Sequence, residues 1–240
     1  MDTIVLFIGI ILVAAILQTS TGFGFSIMAT PFLLLIFEPR EAIQINLVLS
    51  LVISFALISK IRKDIDLGIL KRFVIGSAAG LPVGISLFLL LDMTLLKLSI
   101  SVIILVLTVL LMLKFRVKKT NNRDFTIGGL SGMLTTSIGM PGPPILLYFS
   151  GTDTKKETLR ATTLGFYLFI YAMSLIVQVI FAGTNKIVWT SSGLALPILL
   201  IGMFVGQKLF KRINQKTFRI FTYIILLFTG VYLFYESWKW

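Results

Sequence analysis

The chain contains no cysteine and no histidine. Those absences exclude disulfide and thiol chemistry, a Cys or His metal site and a histidine general base. Charge is scarce as well: 13% of the 240 residues are Asp, Glu, Lys or Arg, against about a quarter in an ordinary soluble domain. Acids are the scarcest. Asp2, Glu38, Glu41, Asp64, Asp66, Asp92, Asp124, Asp153, Glu157 and Glu236 all fall at the ends of apolar segments or in the loops between them. No carboxylate stands mid-segment, where a proton relay or a cation site would want one. With no paired acids and no nucleotide-binding loop, the chain is read as a non-enzyme needing no metal and no cofactor.

Apolar length is what the chain has instead. Hydrophobic residues make up 57%, and mean hydropathy is +0.99. Apolar runs of roughly 20 residues recur, each able to cross a hydrocarbon core of about 30 Å. No stretch is long and polar enough for a separate soluble domain, so one membrane domain over 1–240 is expected. The opening MDTIVLFIGIILVAAILQ lacks the basic region of a signal peptide and is read as part of the mature fold. A net charge of +12 would ordinarily suggest nucleic acid. Here the basic residues sit in short loops between apolar runs, so the expected partner is the bilayer and not nucleic acid.

Two runs are interrupted. The first is broken by QTSTGFG (18–24) and resumes to Phe37; the other, from Phe125, is broken by TTSIGMPGPP (135–144) and resumes to Phe149. Unbroken spans are expected over 42–59, 67–91, 95–113, 159–182 and 187–206, with a last one ending near Tyr235. The plan repeats. At one offset Gly80, Val83, Gly84, Leu87, Phe88, Ile103 and Leu105 match Gly202, Val205, Gly206, Leu209, Phe210, Ile225 and Leu227. Thr19-Ser20-x-Gly22 matches Thr136-Ser137-x-Gly139, Glu41 pairs with Glu157, and Gln44 aligns with Arg160. The reading is a duplication: repeat 1 over 1–115, a basic linker over 116–124 and repeat 2 over 125–240.

Charge decides how the broken segments sit. If each crosses the membrane once, the 22 Lys and Arg split almost evenly between the two sides. If each is a hairpin returning to its own side, every one falls on a single side except Arg40, Lys97, Lys186 and Lys239. The positive-inside rule prefers the hairpins. Three full spans then separate them, so the halves are inverted relative to one another, a recurrent transporter plan. The expected fold class is therefore an all-α polytopic membrane protein of two inverted repeats, each a re-entrant hairpin plus three transmembrane helices. Both termini are expected on the extracytoplasmic side.

An interruption at membrane depth frees backbone groups, tolerated only where protein buries them or a cavity solvates them. Gly22, Gly24, Gly139, Pro141, Gly142 and Pro143 supply the turns. Half-helices starting after them would aim positive N-terminal ends at the centre. With the Thr19, Ser20, Thr21, Thr136 and Ser137 hydroxyls they would form an anion cradle; the competing reading is a pair of kinks packed against neighbours. Asn46, Gln178 and Arg160 are further polar candidates, Arg160 as a permanent positive charge if it points inward or as a residue snorkelling to the surface. Glu41 and Glu157, at the hairpin mouths, are weak coupling candidates that serve equally well as helix N-terminal charges. GLPVG (80–84) and GMFVG (202–206) read as close helix contacts.

QTSTGFGFSIMATP followed by EAIQINLVLS, and GGLSGMLTTSIGMPGPPILLY followed by ETLRATTLGFYLF, resemble the TauE/SafE sulfite exporter family, also called the 4-toluenesulfonate uptake permease family. GMPGPP and LRAT are the most specific elements, and the likeness covers nearly the whole chain. It implies secondary transport of sulfite, sulfonates or related anions across a prokaryotic plasma membrane, in either direction. On its motif positions fall Ser20, Gly22, Gly24, Asn46, Gly139, Pro141, Gly142 and Arg160. Phe23 and Phe25 stand where smaller residues are often found, and would narrow a cavity or suit an apolar substrate tail. The alternatives are an anion channel and a non-transporting membrane subunit. The oligomeric state, a homodimer included, stays open.

Overall fold

The computed structural model of the chain describes residues 2–90, 120–150 and 154–210 throughout, with single positions between 92 and 109 and at 227, 231 and 235. The expected span over 95–113 and the last span lie largely outside the described residues. Among those described there is helix, turn and loop but no strand. The first interrupted segment forms α1 (Asp2–Thr21) and α2 (Phe25–Leu33). Then come α3 (Pro39–Ile61), a 3-10 turn (Arg62–Asp64) and α4 (Leu67–Leu90). The second interrupted segment forms α5 (Asn121–Ile138) and α6 (Gly142–Ser150), followed by α7 (Lys156–Ala182) and α8 (Lys186–Phe210). Of these, α1, α3, α4, α7 and α8 are long and apolar enough to cross a membrane.

Polarity is arranged for lipid. Ile4, Leu67, Leu90, Ile180, Leu194 and Phe204 are exposed, while Gln18, Asn46, Ser54, Thr136, Ser174 and Gln178 are buried. Apolar surface facing lipid gives helices no reason to associate, so contact rests on close packing and on hydrogen bonds between helices. The packing is done by glycine. A Cβ on Gly80 would collide with the Gly129 carbonyl and lie 2.7 Å from the Met133 nitrogen; one on Gly84 would lie 2.6 Å from the Met133 carbonyl oxygen. Gly76 meets Phe125 in the same way. Partner numbers rise together along both helices, so α4 and α5 run parallel. α1 and α8 repeat this: a Cβ on Gly202 would lie 2.9 Å from the Leu12 carbonyl oxygen, and one on Gly206 2.7 Å from that of Ile16.

Hydrogen bonds fix which ends coincide. Gln44 Nε2, near the start of α3, donates to the Gly183 carbonyl just past α7, at 2.9 Å. The Asp66 N–H, past the end of α3, donates to Thr162 Oγ1 near the start of α7, also at 2.9 Å. α3 and α7 are therefore antiparallel. α1, α3 and α8 start at the Gly183 end; α4, α5 and α7 start at the Asp66 end. There Arg72 Nε meets Asp124 Oδ2 at 2.7 Å, with the Asp124 side chain fully buried. The sequence reading ended the basic linker at Asp124; α5 begins three residues before it, and its first turn points the carboxylate inward. Phe73 on α4 packs its ring 5.4 Å from Tyr148 and 5.5 Å from Phe166, tying α6 to α4 and α7.

Gly80→Leu and Gly202→Leu each drive a side chain into the backbone of a neighbouring helix. Each is expected to destabilise the fold by about 1–3 kcal/mol or more, read as a fall in thermal midpoint in detergent. Gly193→Ala, at a position with nothing within 4 Å, is expected to leave that midpoint in place.

Candidate functional site

The interruptions are narrower than the sequence suggested. α1 continues through Thr21 and α5 through Ile138, leaving only residues 22–24 and 139–141 irregular. The reason lies in the hydroxyls. Thr21 Oγ1 donates to the Leu17 carbonyl at 2.7 Å and Ser20 Oγ at 3.1 Å. Thr136 Oγ1 donates to Gly132 at 3.0 Å and Ser137 Oγ to Met133 at 2.8 Å. Such back-bonding keeps the side chain on its own helix. Gly139 then ends α5 in the left-handed region at φ 73, with its N–H on the Thr135 carbonyl (2.8 Å) and the Met140 N–H on that of Leu134 (3.2 Å), a left-handed glycine stop. Gly22, at φ 89, ends α1 where a Cβ would lie 2.8 Å from Arg160 Cα. Thr19 Oγ1 is buried without a hydrogen-bond partner.

The candidate residues fall into separate groups. Gly22 packs on Arg160. The second break is held by two amides: Asn46 Nδ2 donates to the Gly139 carbonyl and Gln178 Nε2 to that of Thr136, each at 2.7 Å. Arg160 and Gln178 both lie on α7, and at 1.5 Å per residue their separation along its axis is about 27 Å. The two glycine turns thus stand near opposite ends of the bundle.

Between them the starts of α2 and α6 come together. A Cβ on Gly142 would lie 3.0 Å from Ile27 Cδ1 and 3.1 Å from the Tyr167 hydroxyl. Tyr171 Oη donates to Ser26 Oγ at 3.3 Å, and the two tyrosine rings lie 5.1 Å apart. Tyr167 is fully buried, and its hydroxyl has no hydrogen-bond partner. Helix starts leave N–H groups without intrahelical partners and carry partial positive charge. Pro143 and Pro144 follow Gly142 and bring no N–H of their own. The Tyr167 hydroxyl is thus a buried donor without a hydrogen-bond partner, set among apolar side chains where Gly142 of α6 meets Ile27 of α2. Sequence reasoning missed Tyr167, Tyr171 and Ser26. The available signal was the four-residue spacing of the two tyrosines, which puts both hydroxyls on one helix face.

Arg160 is 7% exposed, and its guanidinium lies 4.3 Å from the centre of the Phe210 ring. Its Nε has no hydrogen-bond partner. Glu41 and Glu157 stand in the first turns of α3 and α7, at opposite ends. Glu41 Oε1 accepts from Asn185 Nδ2 at 2.6 Å, and Glu157 lies 3.9 Å from Lys156 Nζ.

Fold and site together define a multi-pass helical membrane protein with polar side chains buried in its interior. The chain belongs to the Sulfite exporter TauE/SafE family, whose model matches residues 6–233. Membership makes it a membrane transporter of sulfur-containing anions. No curated protein and no solved structure matches the chain.

Asn46→Leu and Gln178→Leu would each strand a buried carbonyl at the second break. The expected cost is about 1–3 kcal/mol of stability apiece, measured as a lower unfolding midpoint of the purified protein.

Proposed function

We propose that this protein is a secondary transporter that moves a small sulfur oxyanion, sulfite or an organosulfonate, by alternating access. The anion binds where the starts of α2 and α6 meet beneath Tyr167, Tyr171 and Ser26. The observation that carries this reading is the Tyr167 hydroxyl, a fully buried donor left unpaired beside the α6 start. A buried hydroxyl without a partner is costly unless something else completes it. A sulfonyl oxygen accepts such a bond.

Inverted repeats with two re-entrant hairpins form part of the same reading, and packing supports them. α1 and α3 both start at the Gly183 end, so α1 and α2 go in and return; α5 and α6 do the same from the Asp66 end. The glycine contacts also match in pairs. Gly80 on Gly129 and Met133 corresponds to Gly202 on Leu12 and Ile16, and Gly84 beside Thr136 Cβ corresponds to Gly206 beside Thr19 Cβ. Lys60, Arg62, Lys63, Arg72 and Arg123 gather at the Asp66 end, which is therefore assigned to the cytoplasmic side of a plasma membrane. The start of α1, at the Gly183 end, is accordingly assigned outside. Phe23 and Phe25 are buried next to the first turn, a fit for an anion with a short apolar tail.

The test is flux in reconstituted proteoliposomes loaded with sulfite or methanesulfonate. Saturable flux is expected, and Tyr167→Phe is expected to lower kcat/KM by about tenfold or more, the loss of one hydrogen bond to a charged group, while leaving the unfolding midpoint unchanged. Current that never saturates would replace the transporter with a channel. Wild-type kinetics in Tyr167→Phe would remove the site from this place.

A further inference from the structure

The ends of α4 and α8 carry a second pair of features that the central site does not use. At the Gly183 end, the Arg40 guanidinium lies 5.8 Å from the centre of the Phe88 ring. At the Asp66 end, Lys156 Nζ lies 5.1 Å and the Arg160 guanidinium 4.3 Å from the centre of the Phe210 ring. Phe88 and Phe210 occupy matching places in the two halves, as do Arg40 and Lys156. Such a coincidence is not expected from surface charges scattered at random.

Among the described residues neither Arg40 nor Arg160 has a carboxylate within ion-pair distance; each rests on an aromatic face. The acid in each mouth is engaged elsewhere or only loosely paired, Glu41 with Asn185 at 2.6 Å and Glu157 with Lys156 at 3.9 Å. Arg40 also borders a cavity of about 210 Å³ shared with Glu41, Gln44, Gly183, Thr184 and Asn185, room for a small oxyanion. A cation on a ring is held by a weaker attraction than a charge-assisted hydrogen bond to an oxyanion. An arriving anion can therefore take the cation, and the ring takes it back when the anion leaves.

We propose that these are two outer stations for a small oxyanion, one at each mouth, and that they differ in strength. Two cations meet at Phe210, whereas at Phe88 there is one, with neutral Gln44 at the place equivalent to Arg160. Capture is then stronger at the Asp66 end. The proposal rests on the transporter reading and adds sidedness to it.

The test uses sulfite offered to one face at a time in proteoliposomes of known protein orientation. Arg40→Gln is expected to raise KM about tenfold for sulfite arriving at the Gly183 end and less than about twofold for the other end. Lys156→Gln is expected to do the reverse. If the wild type transports sulfite and either variant shifts both KM values together, or neither, the stations are overturned while the transporter reading stands. Equilibrium binding of labelled sulfite to the solubilised protein tests the stations apart from flux. Each variant is expected to remove one weak site, and an unchanged stoichiometry overturns the proposal even in the absence of transport.

Discussion

A carbonyl released from a helix in apolar surroundings has no water to accept from, and the whole arrangement answers to that constraint. At the second break two of the freed carbonyls are taken by Asn46 and Gln178, amides carried by α3 and α7. The first is closed locally: the Phe23 N–H donates to Thr21 Oγ1 at 3.2 Å, and the same hydroxyl lies against the Phe23 carbonyl. Breaking a helix here is possible only where those partners wait. That is why Asn46 of α3 and Gln178 of α7 are found facing the second turn and not facing lipid.

Glycine determines what stands next to what. Where α4 crosses α5, and where α1 crosses α8, backbone meets backbone at distances that leave no room for a Cβ. A bilayer offers no hydrophobic gain for bringing helices together, so this intimacy, with its many dispersion contacts, supplies the association. The contacts exchange partners between the halves: the third long helix of each half grips the long arm of the other half's broken segment. Arg72 and Asp124 fasten one such crossing at its end. Asp124 is fully buried and Arg72 partly exposed, and removing either partner of such a pair costs more than the intact pair adds.

Much of this was legible beforehand. The broken segments, the glycine pairs and the clustering of basic residues were all open to inspection, because each follows from local chemistry: Gly and Pro at a turn, small residues four apart, Lys and Arg in loops. The extent of the breaks was not, because Ser and Thr near a turn can serve the turn or bond back into their own helix, and only the fold decides between them. The burial of Asp124 was not legible for a related reason. A charged residue beside a basic linker reads as solvated, and its burial depends on Arg72, far away in the chain. Tyr167 escaped because an aromatic residue in an apolar helix is usually packing. Only the absence of a partner for its hydroxyl sets it apart, and absence of a partner cannot be read from a string of letters.

One consequence concerns what can move in the proposed cycle. α1 and α5 are seated on α8 and α4 by backbone contact, so these pairs travel as units. The short arms are held differently. α2 and α6 meet each other and the two tyrosines mainly through side chains, Ile27 against Gly142 and Ser26 against Tyr171. Side-chain contacts have alternative arrangements in a way that glycine-to-carbonyl contacts do not. Both short arms are almost wholly buried, so any movement of theirs would have to exchange one set of side-chain contacts for another. The antiparallel α3 and α7 give the two ends of the bundle comparable surroundings.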